Sequence, residues 1–223
     1  MVDLEACFSE SGLEVEWRAK GNLYTAIANA LGEKPIKLPV TDRKDTYFYF
    51  HQETGGDCRR LRLVQGYDSQ GRPTKPRHYE SIKIYVNNNG DDGNHAFELQ
   101  RPIDQEEYDS RRSIMQPVVE VVGRRSDLWV VNEKLVYEKP PKVGELHICI
   151  DDIHELGKFT EFEVEVVGSN SMKKKQRTLE RKAAEKIIFD FTERLGLGEP
   201  DLIMKTYPEM LLEKQQPRML STY

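Results

Sequence analysis

Cysteine is scarce in this chain of 223 residues, which has three, at positions 7, 58 and 149. An odd number with no pair at metal-ligand spacing argues against a disulfide framework or a zinc motif. No stretch approaches the roughly 18 apolar residues that a membrane-spanning helix needs. The N-terminal residues also lack the basic start and apolar run of a signal peptide. We therefore expect a protein of the reducing cytoplasm with no membrane partner.

An excess of basic residues is also missing. The chain has 33 Lys and Arg against 38 Asp and Glu, a formal net charge of -5, so we expect no nucleic-acid partner. Hydrophobic residues make up 38% and charged residues 32%, so the chain can form a hydrophobic core but is rich in charged side chains. The length suits one domain, which we assign to residues 1–214, with a tail at 215–223. Whether the chain forms a homodimer is left open.

Alternation of polar and apolar residues dominates the sequence and predicts half-buried antiparallel strands. A helix with Asn22 as its N-cap is expected before Gly32. A longer helix is expected over 173–195, with an apolar stripe at Leu179, Ala183, Ile187, Phe191 and Leu195. A short helix is expected after Pro208. Polar, Gly- and Pro-rich loops are predicted at 66–78 and 87–94, and a hairpin connection at 139–144. The predicted strands are 14–20, 46–50, 59–64, 80–86, 117–125, 128–131, 146–150 and 159–166.

Two of these strands place carboxylates on one face, at 14 and 16 and at 161, 163 and 165, with apolar residues opposite. Same-face neighbours lie about 7 Å apart. At an effective dielectric near 20, two like charges at that distance repel by roughly 2 kcal/mol. On a solvated surface this arrangement costs little, and that is the alternative interpretation. Inside a closed barrel it requires cations, and carboxylates are the ligands that Mg²⁺ and Mn²⁺ prefer.

At these residues the sequence resembles the CYTH family of class IV adenylyl cyclases and thiamine triphosphatases, also called triphosphate tunnel metalloenzymes. The family's opening Glu-x-Glu-x-Lys is similar to Glu14-Val15-Glu16-Trp17-Arg18, and its Leu-Arg-x-Arg strand to residues 59–62. Residues 148–163 resemble its strand ending in Asp, its Leu-Gly-x-Phe turn and its Glu-x-Glu strand. Residues 205–211 resemble its closing segment. The resemblance implies an α+β fold: an antiparallel eight-stranded β-barrel, the triphosphate tunnel, with helices packed outside.

The resemblance also implies roles for individual side chains. Divalent cations, Mg²⁺ or Mn²⁺, would be held by Glu14, Glu16, Asp151, Glu161 and Glu163. Substrate phosphates would be bound by Arg60, Arg62, Lys83, Arg125 and Arg124, the last as the outward neighbour or the substitute of Arg125. Arg18 and Lys20 would be the catalytic pair, with the two basic residue types exchanged relative to the family signature.

Two departures affect the expected activity more than the expected fold. Arg18 replaces a signature Lys and is a poor proton acceptor, and Gly123 stands where the family commonly has a basic residue. The expected partner is a nucleoside triphosphate or another polyphosphate. The reaction would be conversion of ATP to cyclic AMP and pyrophosphate, or hydrolysis of a nucleoside, thiamine or inorganic triphosphate. The Leu-Gly-x-Phe turn and the closing segment are more similar to the cyclase branch. The alternative is a binding module without catalysis.

Overall fold

The computed structural model describes residues 13–51, 57–85, 95–131, 133–137, 145–166 and 172–220. Ten strands and four α-helices are formed in these ranges, together with a 3₁₀ turn at Glu199–Asp201. The strands are β1 Leu13–Lys20, β2 Thr41–His51, β3 Asp57–Gln65, β4 Arg77–Tyr85, β5 His95–Ile103, β6 Val119–Val131, β7 Lys134–Tyr137, β8 Leu146–Ile153, β9 Gly157–Val166 and β10 Leu202–Ile203. The helices are α1 Tyr24–Ala30, α2 Gln105–Ile114, α3 Lys174–Arg194 and α4 Tyr207–Leu220.

Eight of the strands form an antiparallel ring in the order β1-β5-β4-β3-β2-β6-β8-β9, and β9 pairs back onto β1. The β1–β9 ladder covers all eight residues of β1. On the other edge of β1, three residues pair with β5, and further along Arg18 and Ala19 pair with β10 instead. The ring is therefore a barrel that is not strictly closed at the β1–β5 seam.

The main apolar core lies outside this ring, because most of the apolar residues in the strands are on the outward face. Leu13, Val15, Trp17 and Ala19 of β1 are buried in one cluster with residues of β9 and of α3. Trp17 packs on Phe189 of α3 with ring centroids 4.9 Å apart. This packing holds the helices on the outer surface and leaves the charged face of β1 pointing inward.

Two further helices cover other parts of the barrel. Helix α2 lies over the outer face of β3 and β5, where Tyr108 joins a buried cluster with Leu61 and Ile103. Helix α4 covers one end of the barrel, where Tyr207 and Leu211 join a cluster that also contains inward-facing apolar residues of β6 and β9. That end is therefore closed by apolar packing.

The predicted fold class, α+β with an antiparallel tunnel barrel and outer helices, is confirmed at this level. The strands predicted at 117–125 and 128–131 form one continuous strand, β6, because its ladders to β2 and β8 run through Ser126 and Asp127. Strands β5, β7 and β10 and helix α2 were not predicted. The predicted loop 66–78 joins β3 to β4, while the predicted loop 87–94 and connection 139–144 lie outside the described residues.

The two predicted amphipathic helices form, with local differences. Asn22 Oδ1 accepts from Tyr24 N at 3.0 Å, but the N-cap of α1 is Leu23, one residue after the predicted Asn22. In α3 the buried apolar residues are Ala184, Ile188 and Phe191, so of the predicted stripe only Phe191 is buried, while Leu179 and Ala183 are exposed. Helix α4 continues to Leu220, past the predicted start of the tail at Gln215.

No helix among the described residues is both long enough and apolar enough to cross a membrane.

Candidate active site in the tunnel

The inner face of the barrel encloses a cavity of about 460 Å³. Its wall is made largely of ionisable side chains that alternate with the outward apolar residues along each strand. Eight carboxylates and six Arg or Lys side chains line it: Glu14, Glu16, Asp45, Glu98, Asp127, Glu161, Glu163 and Glu165, with Arg18, Arg43, Arg60, Arg62, Lys83 and Arg125. The charged faces predicted from distant parts of the chain therefore converge on one enclosed space.

Three of the predicted metal ligands form a compact group. Glu16, Glu161 and Glu163 each offer a carboxylate oxygen, and the three oxygens lie within 4.8 Å of one another. The group arises because β1 and β9 pair in a register that sets Glu16 opposite Glu163 and Arg18 opposite Glu161. Clustered carboxylate oxygens are the donor set that a hard divalent cation selects, so these residues fit Mg²⁺ or Mn²⁺.

Glu14 extends this group along β1, and its carboxyl group is buried beside Lys83. Burial raises the pKa of Glu14 to about 8, although Lys83, with Nζ 2.9 Å from Oε2, lowers it in part. A further positive charge nearby would stabilise the ionised form of such a buried carboxyl group. Its electrostatics therefore support the metal role predicted for Glu14.

Arg18, predicted as catalytic, is buried within the carboxylate group. Its side chain forms ion pairs with Glu16 and with Glu161, where Nε lies 2.9 Å from Oε2. The guanidinium also lies over the ring of Tyr207, 4.7 Å from the centroid. Arg18 thus connects the acidic group to the helix that covers one end of the tunnel.

The predicted phosphate-binding side chains form the other part of the wall. Arg62 donates to both oxygens of Asp45, from Nε and Nη2, at 2.7 Å each. Arg60 forms an ion pair with Glu98 and lies 3.6 Å from Asp45. Lys83 Nζ is 3.3 Å from Glu16 and 3.7 Å from Glu98. These cations are held on the cavity surface by carboxylates, so each is positioned before any ligand arrives.

Arg125 joins the basic wall to the acidic group. It donates to both oxygens of Asp151, at 2.7 and 2.6 Å, and to Glu161 at 3.0 Å. Burial alone would raise the pKa of Glu161, but Arg125 and Arg18 outweigh it and lower the pKa to about 2. Glu98 behaves alike: burial raises its pKa, and Arg60 and Lys83 bring it down to about 2. Both carboxyls are therefore ionised at neutral pH.

Three predicted site residues are placed away from the cavity wall. Asp151 is buried behind Arg125 and also accepts from the Tyr207 hydroxyl at 2.8 Å, so its oxygens are occupied by protein donors. Lys20 is exposed, with Nζ donating to Leu156 O at 2.6 Å. Arg124 is 69% exposed and pairs with Asp42 on the outside, because it alternates with the inward Arg125. The roles given to these three residues do not agree with their positions.

Gly123 shares the inward face of β6 with Arg125, and its lack of a side chain has a steric reason. A Cβ there would lie 2.7 Å from the backbone oxygen of Asp152 and 2.8 Å from Ile153 Cδ1. Since β6 and β8 approach so closely at this pair, no basic side chain fits. The basic residue that the family commonly has at this position is excluded by packing, and Arg125 is the nearest inward cation on the strand.

Several lining residues were not predicted. Trp129 lines the cavity and stacks on His147 with ring centroids 3.8 Å apart. Asp127 lies on the part of β6 that the prediction split, and Glu98 lies on β5, which was not predicted. Arg43 and Asp45 share the inner face of β2 at alternate positions, a signal that a longer predicted strand would have included.

Comparisons with known proteins agree on the fold. Neither a family model nor a curated protein sequence matches the chain. The structure is similar to PH1819 from Pyrococcus horikoshii OT3, with 21% identity and a TM-score of 0.60 over 90% of this chain and 99% of that one. It is similar to PH1012 from the same organism, with 20% identity and a TM-score of 0.57 over 88% and 98%. A third similar structure is that of a proposed adenylate cyclase from Vibrio parahaemolyticus, with 15% identity and a TM-score of 0.54 over 91% and 99%. The chain therefore has the CYTH-type tunnel fold.

Proposed function

We propose that this protein is a divalent-metal-dependent enzyme that acts on a triphosphate inside the tunnel. The observation that carries the proposal is the meeting, in one cavity of about 460 Å³, of a three-carboxylate group and an adjoining wall of Arg and Lys. A metal–polyphosphate complex needs both surfaces at once. The similarity to a proposed adenylate cyclase from Vibrio parahaemolyticus supports the same class of substrate.

Glu16, Glu161 and Glu163, with Glu14 beside them, are the residues that would hold the cation. When bound, Mg²⁺ or Mn²⁺ would neutralise phosphate charge and polarise the phosphorus–oxygen bonds. The close grouping of these carboxylates is electrostatically unfavourable, and Arg18 and Lys83 offset part of that repulsion. A cation would offset the rest.

The basic wall would bind and orient the phosphate chain. Arg60, Arg62 and Arg125 present planar guanidinium groups, which suit bidentate hydrogen bonds to phosphate oxygens. Each of these arginines is already paired with a carboxylate on the wall. Phosphate oxygens would add to or replace these carboxylates as hydrogen-bond acceptors, and the side chains are already ordered before the phosphate binds. Such positioning supplies much of the catalysis of phosphoryl and nucleotidyl transfer.

Two reactions fit this arrangement. Water attacking the terminal phosphorus would form a new P–O bond, break the bond to the diphosphate leaving group and release orthophosphate. The ribose 3′-hydroxyl attacking the α-phosphorus would instead close a cyclic nucleotide and expel pyrophosphate. Arg18 accepts no proton at neutral pH, so in either case the proton leaves through another acceptor.

A binding module without turnover is the second candidate. Arg18 stands at a position where the family signature has Lys, and Gly123 leaves no room for the basic side chain common in the family. Both differences reduce the groups available for catalysis without removing the groups available for binding.

One assay separates these candidates. The purified protein is incubated with Mg²⁺ or Mn²⁺ and, in turn, ATP, tripolyphosphate and thiamine triphosphate, and the products are resolved by chromatography and phosphorus NMR. Cyclic AMP with pyrophosphate identifies a cyclase, and orthophosphate identifies a hydrolase. Metal-dependent binding with no product supports the module. Absence of both product and binding for all three substrates contradicts the proposal.

A further inference from the structure

A second group of potential ligands lies in the tunnel wall, apart from the three carboxylates described above. It consists of Asp127 on β6 and of His147 and Cys149 on β8, whose ligand atoms lie within 4.8 Å of one another. His147 and Cys149 are two residues apart on one strand face, and Asp127 is the direct cross-strand partner of Cys149. We propose that these three residues form a binding site for a borderline transition-metal ion such as Zn²⁺.

The spacing of the three atoms carries the proposal. The distances are 3.5 Å from Cys149 Sγ to His147 Nε2, 3.4 Å from Nε2 to Asp127 Oδ1, and 3.4 Å from Oδ1 to Sγ. With Zn–S near 2.3 Å and Zn–N and Zn–O near 2.0–2.2 Å, a tetrahedral ion separates its ligand atoms by about 3.4–3.6 Å. The three atoms therefore already have the spacing of one triangular face of a tetrahedral site.

The surroundings hold each ligand in the orientation that this site needs. The imidazole of His147 is stacked on Trp129 at an interplanar angle of 11°, which fixes its plane. Glu163 Oε2 lies 3.8 Å from Nδ1, so a carboxylate faces the nitrogen that would not bind the metal. Arg43 Nη2 lies 3.0 Å from Asp127 Oδ2 and 3.3 Å from Oδ1, which anchors the carboxylate with Oδ1 towards the imidazole and the thiol.

The donor set differs in kind from the carboxylate group and selects a different ion. A thiolate, an imidazole and a carboxylate suit Zn²⁺, whereas Mg²⁺ prefers oxygen ligands alone. On binding, the S–H bond of Cys149 and the Nε2–H bond of a protonated His147 break, both protons leave to solvent, and sulfur–metal and nitrogen–metal bonds form, with no change in oxidation state. One thiolate and one carboxylate then balance the charge of the ion.

The fourth position of the site faces the cavity, because Asp127 and His147 both line it. A water molecule or an oxygen of a bound anion would occupy that position. The alternative arrangement is a protonated His147 that bridges Asp127 and Glu163 without any metal, and the experiment below distinguishes it.

The test uses the full chain with Cys7 and Cys58 replaced by Ser, so that Cys149 is the single thiol. After chelator treatment, the protein is titrated with Co²⁺ and followed by absorption spectroscopy. We expect one Co²⁺ per chain to give thiolate-to-cobalt charge-transfer absorption and the intense visible bands of a tetrahedral site, while Co²⁺ bound at the carboxylate group gives neither signal. We also expect Zn²⁺ to displace the Co²⁺ and remove both signals.

Two single variants of this chain sharpen the result. His147→Gln should weaken Co²⁺ binding at the thiolate site at least about tenfold, since it removes a direct ligand. Glu16→Gln, in the separate carboxylate group, should leave the charge-transfer band unchanged. The proposal would be overturned if Co²⁺ bound without producing a charge-transfer band. It would also be overturned if the band appeared in His147→Gln with the same Co²⁺ affinity as in the parent protein.

Discussion

Glu80 lies on the outer face of β4 and Glu161 on the inner face of β9, and both side chains are almost completely buried. Glu80 is surrounded by Arg59, Arg101 and Arg111, which connect β3, β5 and α2 to it. Glu161 has two arginines beside it, but it also belongs to a group of carboxylates at the edge of a cavity. One buried carboxylate is thus surrounded by cations that join structural elements, and the other is grouped with like charges beside open space.

This difference separates two uses of buried charge. A carboxylate paired with several arginines in a packed setting stabilises the contact between its neighbours. A group of like charges persists only where the packing of the strands imposes it and a ligand can relieve it. The inner group is therefore expected to control activity and the outer group to control stability.

The largest effect is expected for removal of charge from the inner group. Glu161→Gln combined with Glu163→Gln should lower kcat/KM at least about 100-fold. The cation would lose two ligands, and the negative charge that develops on the phosphate oxygens in the transition state would be less well stabilised. The measurement is steady-state kinetics with the substrate that the product assay identifies. Glu106→Gln, an exposed position on α2, is the matched control and should stay within about twofold of the wild type. Full activity in the double variant would remove both residues from the site.

Neighbouring arginines give the next largest contrast. Arg125→Gln should lower kcat/KM on the order of 10- to 100-fold, as expected when a hydrogen-bond donor to a charged group is lost. Arg124→Gln should change it by less than about twofold, because that side chain is on the outside of the barrel. Equal effects of the two substitutions would contradict the inward assignment of Arg125.

The outer carboxylate should affect stability instead. Glu80→Gln leaves three arginines with a weaker acceptor, and we expect the free energy of unfolding to fall by about 2 kcal/mol. Urea denaturation measures the loss, and turnover per folded molecule should remain within about twofold. A stable Glu80→Gln protein with strongly reduced turnover would reverse the comparison.

The smallest effect concerns pH and the raised pKa of Glu14. Because its folded-state pKa is about 8 and its ordinary value 4.5, the folded protein binds more protons between these values. Without metal, stability contributed by this group is therefore complete below about pH 4.5 and declines as pH rises through 8. A divalent cation competes with that proton, so the rise in Tm caused by Mn²⁺ should be larger at pH 8 than at pH 6. The pH dependence should weaken in Glu14→Gln, and an unchanged dependence would contradict the link.

The sequence was sufficient to predict the strands that carry the strongest alternation. In β1, and in β9 from Glu161 onward, every second residue is apolar, and the predicted inner faces are the observed ones. Helix α2 was not predicted, because Tyr108 is its single buried residue and no apolar stripe marks it. A local signal was present: Asp104 Oδ1 accepts from Glu107 N at 2.8 Å, which makes Asp104 an N-cap.

Contacts between strands were harder to predict than the strands themselves. The carboxylate group depends on the β1–β9 register, and the Asp127, His147 and Cys149 group depends on the β6–β8 register. Registers are set by packing of the whole sheet, and a shift of one residue reverses every side chain. The absence of metal-ligand spacing among the cysteines therefore did not exclude a group assembled across strands.

The central claim is that the carboxylate group and the basic wall serve one ligand. Isothermal titration of the protein with tripolyphosphate, with and without Mg²⁺, tests it most directly. We predict that Mg²⁺ tightens tripolyphosphate binding at least about tenfold and that Glu16→Gln removes this coupling while metal-free binding persists. Tripolyphosphate affinity that is independent of Mg²⁺ in the wild-type protein would contradict the claim.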